Sequence, residues 1–141
     1  MDDDETIDER IARLLTETTT WAVVGWSPRS DRASHRIARF LFQRGKRVLP
    51  VNPEAVGIDA GLSAPVARSL GELDEPVDVV DVFRRSSAAG AVADEAIEVG
   101  AGAVWMQLGV VDEQAARRVR RAGMDVVMDR CPAIEWPRLV G

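Results

Sequence analysis

The sequence predicts a three-layer α/β fold: a central parallel sheet of about five strands with helices on both faces. Three observations predict it. Short, apolar, β-branched runs alternate with amphipathic stretches along nearly the whole chain, an order that builds βαβ units. The first two runs end in loop-forming residues, Gly25 and Pro28 after one, Asn52 and Pro53 after the other. A chain of 141 residues, 46% hydrophobic and 29% charged, has apolar surface for one core and charge for one soluble shell. The expectation is a single domain over 1–141, with an N-terminal docking helix within 1–19 and the core in 20–139.

Each element has its own signal. Ile7, Ile11, Leu14 and Leu15 recur at helical spacing, and the acidic start, Asp2, Asp3, Asp4 and Glu5, suits a helix N-terminus electrostatically. The run WAVVGW at 21–26 reads as a buried strand ending in a loop. Over 33–44, Ile37, Phe40 and Leu41 oppose Arg36, Arg39, Gln43 and Arg44, an amphipathic helix with Ser34 as candidate N-cap and Gly45 as its stop. Strand two, RVLPV at 47–51, contains Pro50, whose missing N–H is expected at an unpaired position. Residues 54–76 read as a loop with one short helix around 69–73. Strand three is VDVVDVF at 77–83. A helix at 87–99, a strand at 103–106, a helix at 112–122, a strand at 125–128 and a short helix after Cys131 complete a Rossmann-like series.

Composition excludes several classes of function. A net charge of −5 argues against bulk attraction to nucleic acid or anionic lipid, although a basic pocket can exist inside an acidic envelope. No charged stretch followed by an apolar run opens the chain, and no apolar stretch approaches the roughly 18 residues of a membrane span, so a cytoplasmic location is expected. Cys131 is the single cysteine and His35 the single histidine, which leaves neither an internal disulfide nor a zinc-type ligand set.

In an open parallel sheet the ligand crevice lies beyond the carboxyl ends of the strands. Here those positions hold Gly25, Trp26, Ser27 and Pro28; Asn52 and Pro53; Phe83, Arg84 and Arg85; Gln107, Leu108 and Gly109; and Asp129, Arg130 and Cys131. The first loop suits phosphate, because Gly25 permits close backbone approach, Ser27 offers a hydroxyl, and the following helix points N–H groups at an anion. Arg29, Arg32, His35 and Arg36 surround it, and Arg84 is read as a ligand contact, whereas Arg36, Arg39 and Arg44 read as a solvated helix face. A G-x-G-x-x-G fingerprint and a Walker A motif are both absent, and strand two ends in Asn52 rather than the acid that holds a dinucleotide's ribose, so NAD is an alternative only. His35, lacking a paired nucleophile, reads as a cap or phosphate contact rather than a general acid or base. Cys131 is either a stabilised thiolate at a helix start or a small space-filler. Asp78 and Asp81 fall on opposite faces of their strand and read as structural. Of the four tryptophans, Trp26 is the one placed in the crevice.

Taken together, WAVVGWSPRSDRASHRIARFL, RVLPVNP, EPVDVVDVFRR, GAGAVWMQLGVV and GMDVVMDRCPAIEWPRL resemble, in order and spacing, the stand-alone CoA-binding domain proteins. These are relatives of the N-terminal domain of the succinyl-CoA synthetase alpha subunit. The resemblance implies coenzyme A or an acyl-CoA as the small-molecule ligand. It implies a pyrophosphate near Gly25 and Ser27 and an adenosine end near Val51, Asn52 and Pro53. Phe83, Arg84, Met106, Gln107 and Leu108 would form the remaining wall, and Ser34 and His35 would be loop-to-helix contacts. Trp26 departs from the smaller residue common in that loop. The synthetase's catalytic histidine belongs to a further domain, so a binding protein without evident catalytic machinery is the expected function. An acyl-CoA-dependent enzyme using Cys131, and a sensor of another nucleotide such as NAD, are the alternatives. Protein partners and oligomeric state stay open.

Overall fold

The computed structural model describes residues 5–141. The three aspartates read as electrostatic partners of the first helix, Asp2, Asp3 and Asp4, lie outside the described residues. Helix α1, Ile7–Glu17, starts at Thr6, whose hydroxyl accepts from the Glu9 N–H while the Glu9 carboxylate accepts from the Thr6 N–H, a reciprocal cap. There follow β1, Thr20–Val24; α2, Ala33–Gln43; β2, Arg47–Val51; a single 3-10 turn, Leu70–Glu72; β3, Val79–Val82; α3, Ser86–Glu98; β4, Ala103–Met106; α4, Glu113–Arg121; β5, Asp125–Val127; and α5, Pro132–Leu139. All five strands are parallel in the order β2-β1-β3-β4-β5, the Rossmann-like three-layer arrangement expected.

Side-chain alternation sorts the core into two halves. Ala22, Val24, Val80, Val82, Val104 and Met106 pack under α3 and α4. Trp21, Val23, Val79, Ala103 and Trp105 pack under α1, α2 and α5. Trp21 and Trp105 sit in the two strands that flank β3, and their rings meet across it with centroids 5.5 Å apart. Each indole N–H is committed elsewhere, Trp21 to the Thr18 hydroxyl at 2.8 Å and Trp105 to the Arg130 carbonyl at 2.9 Å.

Pro50 sits without conflict because β2 is an edge strand. Its carbonyl accepts from Ala67 N–H on the side away from β1, so the ring nitrogen faces that same outer side, where no ladder partner is required. The loop carrying Ser63 and Ala67 covers this edge through bonds to Val48, Pro50 and Asn52. Asp78 accepts the N–H groups of Thr19 and Thr20 and so ties the start of β1 to that of β3.

Candidate functional site

The strand order reverses between β1 and β3, since β2 lies to one side of β1 and β3 to the other. That switch point is where an open α/β sheet leaves a crevice, and a cavity of about 470 Å³ lies there. Gly25, Ser27, Arg29, Arg32, Ala33 and Ser34 line one side; Phe83, Arg84, Gln107, Leu108 and Val110 line the other.

Gly25 keeps the two sides close. Its φ is +93°, and a Cβ placed on it would sit 2.3 Å from the Phe83 carbonyl oxygen, so only glycine permits this approach of the loops after β1 and β3. Beyond it the chain turns into α2, whose N-cap, Arg32, makes no side-chain cap. The N–H groups of Ala33 and Ser34 find no acceptor among the described residues, which leaves a positive helix end facing the crevice. Arg32 and Arg84 have no carboxylate partner among the described residues, whereas Arg29 pairs with Asp31 at 3.0 Å on an exposed surface. By contrast α4, which begins nearby, is capped internally by the Asp112 carboxylate on Ala115 N–H.

The residues expected to bind ligand thus divide. Gly25, Ser27, Arg32, Ser34, Phe83, Arg84, Gln107 and Leu108 converge on the crevice. Trp26 does not open into it: the indole is 2% exposed, packed in the core and stacked on the His35 ring at 5.8 Å. His35 is held by a 3.0 Å bond between Nδ1 and the Ser27 carbonyl, so it shapes the loop from behind. Val51 and Met106 are buried core residues. Asn52 closes the loop structurally, donating to the Trp26 carbonyl at 2.7 Å and accepting from Glu54 N–H at 2.9 Å, with Pro53 exposed beside it. Cys131 is the buried N-cap of α5, 9% exposed, and does not line the cavity.

Ala33 and Val110 were not singled out by sequence reasoning. Ala33 contributes a backbone N–H, which carries no side-chain signal. A further residue acts one step back: Asp129, at φ +58°, accepts the Gly109 N–H at 2.7 Å. With the Trp105 indole on the Arg130 carbonyl, that bond fastens the loop after β5 to the loop bearing Gln107 and Leu108. Aspartate's tolerance of left-handed backbone was the available signal.

Comparison with known proteins places these features in context. The model of the CoA binding domain family matches residues 19–137. The uncharacterized protein YneT of Bacillus subtilis is 40% identical over 121 residues, covering 86% of this chain and 87% of its own. The structure of cell-free ID.343 from Thermus thermophilus is 37% identical, with a TM-score of 0.86 over 94% of this chain and 98% of that one. A dinucleotide forming acetyl-coenzyme A synthetase of Ca. Korarchaeum cryptofilum shares the fold alone, at 23% identity and a TM-score of 0.69, over 82% of this chain and 26% of its own.

Proposed function

The chain belongs to the CoA binding domain family, and from that premise we propose that it binds coenzyme A or an acyl-CoA in the crevice between β1 and β3. The observation that carries this reading is the uncapped start of α2 on the same wall as Gly25. Two free N–H groups, a glycine that brings the loops after β1 and β3 together, and Arg32 and Arg84, which have no carboxylate partner among the described residues, make a cradle for a pyrophosphate. Ser27 and Ser34 add hydroxyl groups to the same wall. Phe83 and Leu108 give the apolar surface against which a pantetheine arm packs, and the adenosine end lies toward Val51, Asn52 and Pro53.

Binding rather than turnover is the proposed role. The described residues that line the crevice offer guanidinium, amide and hydroxyl groups and apolar walls, with no nucleophile paired with a base among them. Calorimetric titration with CoA, with NAD, ADP and dephospho-CoA as competitors, tests the proposal. Saturable CoA binding that NAD does not displace, weakened about tenfold or more by Arg84→Ala through loss of a charge-assisted bond, is the expected result. Absence of CoA binding, or equal competition by NAD, would overturn it.

A further inference from the structure

Two buried polar side chains of the sheet, Asp81 and Gln107, lack partners among the described residues. Both carboxyl oxygens of Asp81 and the carboxamide oxygen of Gln107 are buried without a hydrogen bond. All three atoms are acceptors in their ordinary states, and buried acceptors without donors are costly enough to be rare in folded proteins.

The sheet brings the two residues together. Asp81 stands opposite Trp105 in the β3/β4 register, on the face that also carries Val79 and Ala103. Gln107 N–H continues the ladder to the Val82 carbonyl, so Gln107 follows Trp105 on that same face, two residues on. Strand spacing and rise place Asp81 and Gln107 as diagonal neighbours about 8 Å apart at Cα, within reach of each other directly or through one water. The two indole N–H groups on that face are spent, Trp21 on Thr18 and Trp105 on Arg130. Gln107 also lines the cavity, so the face of its carboxamide turned outward decides what it offers a ligand.

We propose that Asp81 is carried as a neutral carboxylic acid whose O–H donates, directly or through one buried water, to the Gln107 carboxamide oxygen. Gln107 then presents its N–H2 to the crevice and reads an acceptor on the ligand, a phosphate or amide carbonyl oxygen. Asp81 is a positioning residue; it acts through Gln107. The inference deepens the CoA reading and rests on it for the ligand, while the pairing itself concerns this chain alone.

The titratable groups on the elements packed over that face leave this assignment unopposed. On α5, Glu135 bonds to Arg138 at 2.6 Å and Cys131 forms the N-cap. On α2, the His35 ring bonds to the Ser27 carbonyl. On α1, Arg10 and Arg13 face Glu5 and Asp125. Lys46, just before β2, donates to the Thr18 carbonyl. None of them offsets the burial that pushes the Asp81 acid well above its ordinary range.

Asparagine separates this from a merely structural role, because its N–H2 supplies the same donor without a titrating proton. Three readouts apply to the wild type, Asp81→Asn and Asp81→Val: the infrared carboxylic-acid band at neutral pH, the Gln107 side-chain amide resonances, and calorimetric CoA affinity. Expected are an acid band that Asp81→Asn abolishes, and Gln107 resonances kept by Asp81→Asn but shifted by Asp81→Val. Affinity should be retained in Asp81→Asn and about fivefold weaker in Asp81→Val, the value of one neutral hydrogen bond. No such band, or Gln107 resonances identical in Asp81→Val and wild type, would overturn the pairing. Failure of the wild type to bind CoA would overturn the ligand assignment instead, since the infrared and resonance measurements need no ligand.

Discussion

Burial of Asp81 makes this protein's stability depend on pH with an unusual sign. The side chain is 0% exposed at the centre of the sheet, and desolvation alone raises its pKa well above the ordinary 3.8. In the unfolded chain the carboxyl ionises normally; in the folded chain it keeps its proton. Unfolding therefore releases a proton at every pH between the two values. The contribution of Asp81 is fully present below the unfolded value and declines as pH rises, by about 1.4 kcal/mol per pH unit, until the folded group itself ionises. Asp81→Asn removes the titration. The stability difference between Asp81→Asn and wild type should grow in favour of asparagine from about pH 5 upward, with up to that slope, until the folded carboxyl ionises. Other carboxylates cancel in the difference, including Glu5 and Glu75, which Arg13 and Arg47 hold below their ordinary range. Urea unfolding of both proteins at pH 5, 6, 7 and 8 measures it. A difference that stays flat across the series would refute the reasoning, because it would mean that Asp81 ionises alike in both states.

Other expectations follow from single contacts. Gly25→Ala should cost at least about 2 kcal/mol, since it combines a left-handed backbone with a Cβ 2.3 Å from the Phe83 carbonyl; thermal unfolding that matches wild type would contradict it. Asp129→Ala should lose about 2 kcal/mol, the sum of a residue less tolerant of left-handed backbone and a lost charge-assisted hydrogen bond to Gly109 N–H. Asp129→Asn, which keeps the acceptor and tolerates the backbone, should stay within about 0.5 kcal/mol of wild type by chemical denaturation. Cys131, 9% exposed, should react with an alkylating reagent far more slowly in the native protein than in denaturant, as timed mass spectrometry would show. Equal rates in the two states would place the thiol at an open surface.

The post-strand residues illustrate how far sequence reasoning reaches into the site. Position relative to the strand ends was enough to nominate Gly25, Ser27, Phe83, Arg84, Gln107 and Leu108, because a parallel sheet sends every such loop to one edge. It could not separate them from Trp26, which occupies a neighbouring position yet turns into the core, as do Val51 and Met106, which the family resemblance added. A one-residue step reverses the face to which a side chain points, and where the ladder of backbone hydrogen bonds ends the alternation stops predicting direction. Pro50 shows the converse. Its tolerance follows from edge position, and strand order is a property of the crossover connections rather than of the segment.

What the sequence determined by itself is the set of elements and the class of fold. Hydrophobic periodicity and turn chemistry are local, and every strand and helix lies within a few residues of where the periodicity predicts it. The motifs likewise identify the family, because their order along the chain survives without coordinates. Only tertiary structure decided what lies next to what: the approach of Gly25 to the Phe83 carbonyl, the uncapped α2 opening on Arg84, and the meeting of Trp21 and Trp105 across β3. Asp81 belongs with these. In the run VDVVDVF both aspartates read as structural, yet Asp78 finds two backbone N–H groups at the sheet's end while Asp81 is sealed in its middle. Solvation and hydrogen-bond partners come from residues distant in sequence, and no local pattern encodes them.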